Sequence, residues 1–96
     1  MIGFRLSRDA FQDVKAIYLY SVRNFGQERA DQYAAELESC LSLLASNPHM
    51  GRDFGQVRAK LRRHEHQSHV IYYRQDGDGI LVLRILGSAQ DPARHI

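Results

Sequence analysis

Two apolar runs, residues 69–74 and 80–86, form the clearest pattern in the chain. The second run is apolar at every position except Arg84, which predicts a central strand covered on both faces. The first run is rich in β-branched and aromatic residues, which fit a pleated surface. Between them, residues 75–79 contain two Asp-Gly pairs. Glycine accepts the positive φ of a tight turn, so the two runs predict a β-hairpin.

The first half of the chain shows helical periodicity after one short strand. Ile2, Phe4 and Leu6 alternate with other residues, which predicts a first strand. Ser7 suits a helix N-cap, and Asp9 suits the positive end of the helix dipole. The first helix is predicted to run to about Phe25, on an apolar stripe of Ala10, Phe11, Val14, Ile17, Tyr18, Ser21, Val22 and Phe25.

A second helix follows almost at once. Gly26 suits a left-handed C-terminal cap and leaves room for only a short connection. The helix should end before Asn47-Pro48, because proline lacks an amide hydrogen and disfavours helix in the preceding residue. Its apolar stripe consists of Ala30, Tyr33, Ala34, Leu37, Cys40, Leu41 and Leu44. Such a helical hairpin needs a sheet to cover its apolar faces.

The stretch between the helices and the hairpin is harder to interpret. Residues 49–57 contain two glycines and no period, which predicts a loop. Residues 58–67 predict a polar strand, with Ala59, Leu61 and Arg63 on one face. The complete prediction is an α+β fold in one domain, residues 1–96, with the order β-α-α-β-β-β. The N-terminal helical hairpin packs on an antiparallel sheet.

Composition excludes several classes of protein. The chain is 44% hydrophobic and 25% charged, which is ordinary for a globular domain. Its apolar runs fall far short of the ~20 residues that span a bilayer, and residues 1–6 do not resemble a secretion signal. We therefore expect a soluble cytoplasmic protein. The single cysteine, Cys40, excludes an intramolecular disulfide and a Cys-pair metal site, and its place on an apolar stripe favours a small buried hydrophobe.

The basic residues are concentrated in the second half of the chain. Residues 49–96 contain eight Lys or Arg and five Asp or Glu, whereas residues 1–48 contain five and six. One interpretation is a solvated strand face whose charges discourage edge pairing. The other is a docking surface for an acidic protein segment or for phosphates, which arginine binds through its planar fork. The candidates for target binding are Arg52, Arg58, Lys60, Arg62, Arg63 and Arg74.

Several short motifs occur in order along nearly the whole chain. In the helical half they are Leu6-Ser7 with Ala10 and Asp13, then Phe25-Gly26, then Ala30, Tyr33 and Leu37. In the second half they are the Pro-x-x-Gly-Arg loop of residues 48–52, the aromatic strand 69–74, Arg84-Ile-Leu86, and Asp91-Pro-Ala-Arg-His95. This ordered set resembles the ParE branch of the RelE/ParE toxin family. Gly87 departs from the pattern, because many relatives carry histidine there, so any role of that histidine does not transfer.

The resemblance implies a function as well as a fold. It implies a toxin that poisons DNA gyrase by stabilising its cleaved DNA complex. The resemblance allows indirect contact with the gyrase-bound DNA, and the sequence leaves open whether the toxin contacts DNA directly. The resemblance also implies neutralisation by a ParD-type antitoxin. Grooves between helices suit an amphipathic partner helix, and we predict that Tyr18, Val22, Tyr33 and Leu37 lie near such a groove or in the core. We predict no cofactor and no metal.

An RNA-cleaving enzyme is the alternative, because the RelE branch shares this fold and cuts messenger RNA on the ribosome. Such chemistry needs an acid, a base and cations around the phosphate, and His64, His66, His69 or His95 could titrate near neutral pH. Ribonucleases of the family tend to carry a tyrosine near the C-terminus, whereas here no tyrosine follows Tyr73.

Other polar and aromatic residues have mainly structural interpretations. A metal site of His64, His66 and His69 is disfavoured, because strand alternation places residue 69 on the opposite face from 64 and 66. Arg84 is either a snorkelling side chain or an ion-pair partner. Tyr72 and Tyr73 have apolar neighbours, which favours core or partner contacts over base stacking.

Overall fold

The protein consists of two helices and a five-stranded sheet. The structure, a computed structural model, describes residues 3–96, so Ile2 of the predicted first strand lies outside it. The elements are β1 (Phe4–Leu6), α1 (Arg8–Phe25), α2 (Gln27–Ser46), β2 (Arg52–Asp53), β3 (Arg62–His66), β4 (His69–Asp76), β5 (Gly79–Gly87) and a final 3-10 turn (Pro92–Arg94). The predicted α+β fold and its helical hairpin are confirmed.

The strands form one sheet in the order β1-β5-β4-β3-β2. The predicted central strand, β5, is paired on both sides. Strands β2 to β5 are antiparallel neighbours, but β1 runs parallel to β5, with Phe4 opposite Ile80 and Leu6 opposite Val82. The sheet is therefore mixed rather than wholly antiparallel. Two helices and three strands separate β1 from β5, and no local turn signal indicates the direction of such a distant pairing.

The predicted start and end of α1 are confirmed by their caps. Ser7 Oγ accepts a hydrogen bond from Ala10 N at 3.0 Å and donates one to the Leu83 carbonyl at 2.8 Å. The cap therefore also ties the start of α1 to β5. Gly26 has a φ of 88°, and its N–H donates to the Val22 carbonyl at 3.0 Å. One residue therefore connects two helices that pack as an antiparallel hairpin.

Each face of the sheet carries its own apolar cluster. The helix-facing cluster contains Ala10, Leu37, Leu41, Leu44, Ala45, Ile71, Tyr73, Ile80, Val82 and Ile85. The opposite cluster contains Leu61, Val70, Tyr72 and Leu86, with Phe54, Val57, Leu83 and Ile96 packed against it. Tyr72 and Tyr73 are thus both core residues, on opposite faces. A register shift in the β4–β5 ladder lies between them.

The stretch before the hairpin differs from the prediction in two places. The predicted loop 49–57 contains β2, whose two residues are exposed and carry no apolar pattern. The predicted strand 58–67 begins only at Arg62, because residues 58–61 form a turn closed by Leu61 N donating to the Arg58 carbonyl at 3.0 Å. Lys60 has a φ of 66° in this turn, which is incompatible with a strand.

Candidate functional site

An apolar groove runs between α1 and α2. It has a volume of about 370 Å³, and its walls are almost wholly hydrocarbon. The residues that line it are Phe11, Val14, Lys15, Ile17, Tyr18, Ala30, Tyr33, Ala34 and Leu37. Phe11 at its rim is 56% exposed, which is unusual for a large aromatic side chain. A groove of this kind fits the apolar face of an amphipathic helix.

Three of the four residues predicted to lie near a partner groove do so. Tyr18, Tyr33 and Leu37 line it, and Leu37, only 3% exposed, also belongs to the helix-facing cluster. Val22 is half-buried and is not among the described residues that line the groove. Helical spacing predicted the shared stripe, but it could not show where the groove ends.

A hydrogen bond between the two helices joins a groove residue to α2. The Tyr18 hydroxyl donates to Asp31 Oδ1 at 2.5 Å. This bond raises the pKa of Tyr18 above its ordinary value, because ionising the phenol would break it beside a carboxylate. The contact couples the middle of α1 to the first turns of α2. Helical periodicity could not predict this hydrogen bond, because the two residues lie on different helices.

Tyr33 also contacts a pair of histidines at the turn between β3 and β4. Its hydroxyl lies 2.7 Å from His69 Nδ1, and its ring centroid lies 5.7 Å from each of the His66 and His69 rings. His66 and His69 are direct cross-strand partners. The prediction that residue 69 faces away from residue 66 was wrong, because a two-residue turn returns the chain and cross-strand partners share a face.

Burial lowers the pKa of His69, and the neighbouring His66 lowers it further. The groups that surround this imidazole are Tyr33, with Glu36 nearby, from α2, His66 from β3 and the Ser68 hydroxyl from the turn. Gln67 in the same turn donates to Glu36 at 3.2 Å. The neutral form of His69 is therefore the one that the fold favours.

The free energy of unfolding should fall in mild acid, because the fold favours the neutral form of His69. The pKa of His69 in the folded state lies below its unfolded value of about 6.5. The stabilisation that neutral His69 gives the fold is therefore complete above pH ~6.5, and it is lost as the pH falls through the folded-state pKa. One such group removes at most about 1.4 kcal/mol per pH unit. Urea denaturation between about pH 8 and pH 5 should show this loss of stability. In the His69→Asn variant, the free energy of unfolding should depend less on pH over the same range. The exposed His49→Asn is the control, and an equal effect of both variants would contradict the assignment.

The predicted target-binding residues do not form one continuous surface. Arg52 and Arg63 are direct cross-strand neighbours on β2 and β3. They line a cleft of about 420 Å³ together with Met50, His64 and Glu65. Arg58 and Lys60 are exposed in the turn that precedes β3. Two pairs of basic residues therefore lie near one edge of the sheet.

The remaining two basic candidates differ in their surroundings. Arg62 is opposite Tyr73, on the helix-facing side, and its Nη1 donates to the Gly51 carbonyl at 2.8 Å. Its guanidinium is thus engaged in holding a loop. Arg74 is half-exposed on β4, opposite Leu81 on β5. Binding by Arg62 or Arg74 stays a prediction, and the structure gives Arg62 a structural role.

Tyr73 anchors the Pro-x-x-Gly-Arg loop that leads into β2. Its hydroxyl accepts a hydrogen bond from Gly51 N at 2.8 Å and donates one to the Pro48 carbonyl at 2.8 Å. A Cβ on Gly51 would lie 2.2 Å from that hydroxyl oxygen. Glycine is therefore required at this position, because the loop backbone approaches the tyrosine so closely. The anchor fixes the point at which Arg52 leaves the loop.

Arg84 is an ion-pair partner that joins three separate motifs. Its Nε and Nη2 each donate to an oxygen of Asp13 at 2.8 Å, and its Nη1 donates to the His95 carbonyl at 3.1 Å. Asp13 Oδ2 also accepts from Ile85 N at 2.9 Å. The hydrogen bond to Asp13 raises the pKa of Arg84, so the pair stays charged. Its role is to tie α1, β5 and the C-terminal residues together.

The candidate histidines do not form a single cluster, although His66 and His69 are direct cross-strand partners. His64 lines the cleft beside Arg52, whereas His69 lines a separate cleft of about 570 Å³ beside Tyr33. Within residues 3–96, no three histidine, cysteine, aspartate or glutamate side chains are grouped so that they could hold a metal ion. Nor does any helix of that range combine the length and hydrophobicity needed to cross a membrane.

Comparison with known proteins connects these features to one family. Residues 4–92 match the family described as "ParE toxin of type II toxin-antitoxin system, parDE". The chain is 36% identical over 96 residues to Toxin ParE1 of Caulobacter vibrioides, covering 100% of this chain and 99% of that protein. It is 30% identical over 94 residues to Toxin ParE1 of Mycobacterium tuberculosis, covering 97% and 96%.

The fold has a counterpart among solved structures. A chain of the "Chromosomal ParDE TA system from P. aeruginosa" superposes with a TM-score of 0.74 at 24% identity. The match covers 91% of this chain and 96% of the other. At that identity the likeness supports the fold, while the family match and the two relatives establish the membership. The chain belongs to the ParE toxin family of type II toxin–antitoxin systems.

Proposed function

We propose that the protein inhibits DNA gyrase by stabilising its cleaved DNA complex, and that a cognate ParD-type antitoxin neutralises it. The observation that carries the second part is the apolar groove between α1 and α2. Burying apolar surface is favourable by about 25 cal/mol per Å². An amphipathic antitoxin helix that covers this groove would therefore gain stabilisation from apolar burial, and Tyr18, Tyr33 and Leu37 would lie against it.

The target-binding part of the proposal rests on the basic edge of the sheet. Arg52, Arg58 and Lys60 are exposed, and Arg63 and Arg74 are partly exposed. Arg62 is instead engaged with the Gly51 carbonyl. The planar guanidinium of arginine forms paired hydrogen bonds with carboxylates and with phosphates, and a gyrase–DNA complex presents both. This edge lies away from the helical groove, so the toxin would use different surfaces for target and antitoxin. Both partners act in the cytoplasm, where we therefore place the protein.

The ribonuclease alternative has one cluster of titratable side chains to draw on: His66 and His69 lie together beside Tyr33, whereas His64 lines a different cleft. General acid–base cleavage of RNA needs two titrating groups and a cation around one phosphate. The Tyr33 hydroxyl is engaged with His69 Nδ1, and the Tyr73 hydroxyl is engaged with the Gly51 loop. These residues would have to rearrange to act on a common phosphate.

We expect purified protein to inhibit DNA supercoiling by purified gyrase, and the cognate antitoxin to restore it. The physical reason is that a bound protein that stabilises the cleaved complex prevents strand passage. The measurement is agarose-gel separation of relaxed and supercoiled plasmid. A parallel translation reaction, scored for ribosome-dependent cleavage of messenger RNA, tests the alternative. Cleaved messenger RNA, with supercoiling unaffected, would exclude gyrase as the target.

A further inference from the structure

The cleft between β2 and β3 places two like charges directly opposite each other. Arg52 and Arg63 are cross-strand partners, and like charges in that register are destabilising. Among the described residues that line the cleft, Glu65 is the acidic one. It meets Arg63 at 3.5 Å with 66% of its side chain exposed, which is a weak contact. An anion from another molecule would relieve this repulsion.

The guanidinium of Arg63 is held in place by its surroundings, and Arg52 is fixed at its backbone. The guanidinium carbon of Arg63 lies 5.3 Å from the centroid of the Phe54 ring, and Phe54 packs against the core on that face. Arg52 follows Gly51, whose amide is fixed by the Tyr73 hydroxyl. Binding an anion would therefore cost less side-chain entropy at Arg63 than at a freely rotating arginine.

The composition of the cleft favours a polyanion over a protein segment. Met50 is its one large apolar residue among those described, and a protein partner would need aromatic or aliphatic anchors. Arg58 and Lys60 extend the positive charge into the next turn, and Lys60 lines a neighbouring cleft of about 480 Å³. Interfaces with nucleic acid are far more positively charged than those between proteins.

We propose that the Arg52–Arg63 cleft binds phosphodiester groups of DNA directly. The inference rests on the proposed function in one respect, because the gyrase complex is what would supply the DNA. The contact between the toxin and gyrase-bound DNA would then be direct. Phosphate accepts paired hydrogen bonds from a guanidinium plane, so each arginine can engage one phosphate.

The test measures binding to a fluorescein-labelled DNA duplex of about 20 base pairs. Fluorescence anisotropy gives the binding constant at several salt concentrations. The variant is Arg52→Gln with Arg63→Gln. The control is Arg23→Gln with Arg29→Gln, which removes the same charge from exposed positions on the helices. Each lost phosphate contact reduces the slope of log K against log salt concentration by about 0.9 in magnitude. The cleft variant loses two contacts, so its slope should be smaller by about 1.8, and it should bind at least about tenfold more weakly. The control should keep most of the wild-type slope.

Three results would overturn the proposal. They are no binding by the wild type at low salt, an equal loss in both double variants, and competition by polyglutamate as effective as competition by unlabelled duplex. The last would identify an acidic protein segment as the ligand. Arg52→Gln alone, at an exposed position, serves if the double variant does not fold. A supercoiling assay on the same proteins separates this proposal from the gyrase proposal, because either can fail while the other holds.

Discussion

Replacing Gly51 by alanine is expected to reduce the free energy of unfolding by about 3 to 4 kcal/mol. The new Cβ would lie 2.2 Å from the Tyr73 hydroxyl oxygen and 2.7 Å from its Cε1. Tyr73 is completely buried, so its ring has little room to retreat. The variant must either strain the core or move the loop and break the hydrogen bonds from Gly51 N and to the Pro48 carbonyl.

Urea denaturation followed by circular dichroism measures this loss. The control is Gly87→Ala, whose Cβ would meet only the flexible Gln90 side chain, at 3.4 Å. It should change stability by less than about 1 kcal/mol. If Gly51→Ala were as mild as its control, Tyr73 would not be the anchor of the loop. Because this loop also presents Arg52, a well-folded Gly51 variant would reveal whether the anchor matters for target binding.

Replacing Ala34 by arginine is expected to weaken antitoxin binding at least about 100-fold, or about 2.7 kcal/mol. Ala34 lines the apolar groove between the helices. A long side chain at this position would occupy the space of the partner helix and place a charge against hydrocarbon. The one charged side chain among the described lining residues is Lys15, which has the same sign and cannot neutralise it.

Isothermal titration calorimetry with the cognate antitoxin measures the affinity. Ala35→Arg is the matched control, because Ala35 is exposed on the same helix and does not line the groove. It should bind the antitoxin as tightly as the wild type does. Equal losses in the two variants would indicate a general effect of charge on α2. Unchanged binding by Ala34→Arg would show that the antitoxin helix binds elsewhere.

The parts of the fold that carry a local pattern were predictable from the sequence. Apolar periodicity and caps defined both helices, and two Asp-Gly pairs between apolar runs defined the β4–β5 hairpin. The parts of the fold that depend on pairing between distant strands were not predictable from local patterns. β2 has two exposed residues and exists because Arg52 and Asp53 pair with β3, and β1 lies beside β5 through contacts across most of the chain.

The same distinction applies to the candidate site. The groove residues share a helical stripe, so Tyr18, Tyr33 and Leu37 could be found from spacing. The Asp13–Arg84 ion pair joins positions 71 residues apart, and the only hint was an arginine inside an apolar strand that required a counter-charge. His66 and His69 could have been paired correctly if Gln67-Ser68 had been taken as a two-residue hairpin turn, because the residues that flank such a turn are cross-strand partners.

The most direct test of the central claim is detection of trapped gyrase–DNA complexes. Purified protein is incubated with gyrase and plasmid, the reaction is stopped with detergent and protease, and linear DNA is quantified. We predict that linear DNA accumulates with toxin concentration and disappears when the antitoxin is added first. An unchanged level of linear DNA at saturating protein, together with cleavage of messenger RNA on ribosomes, would contradict the account.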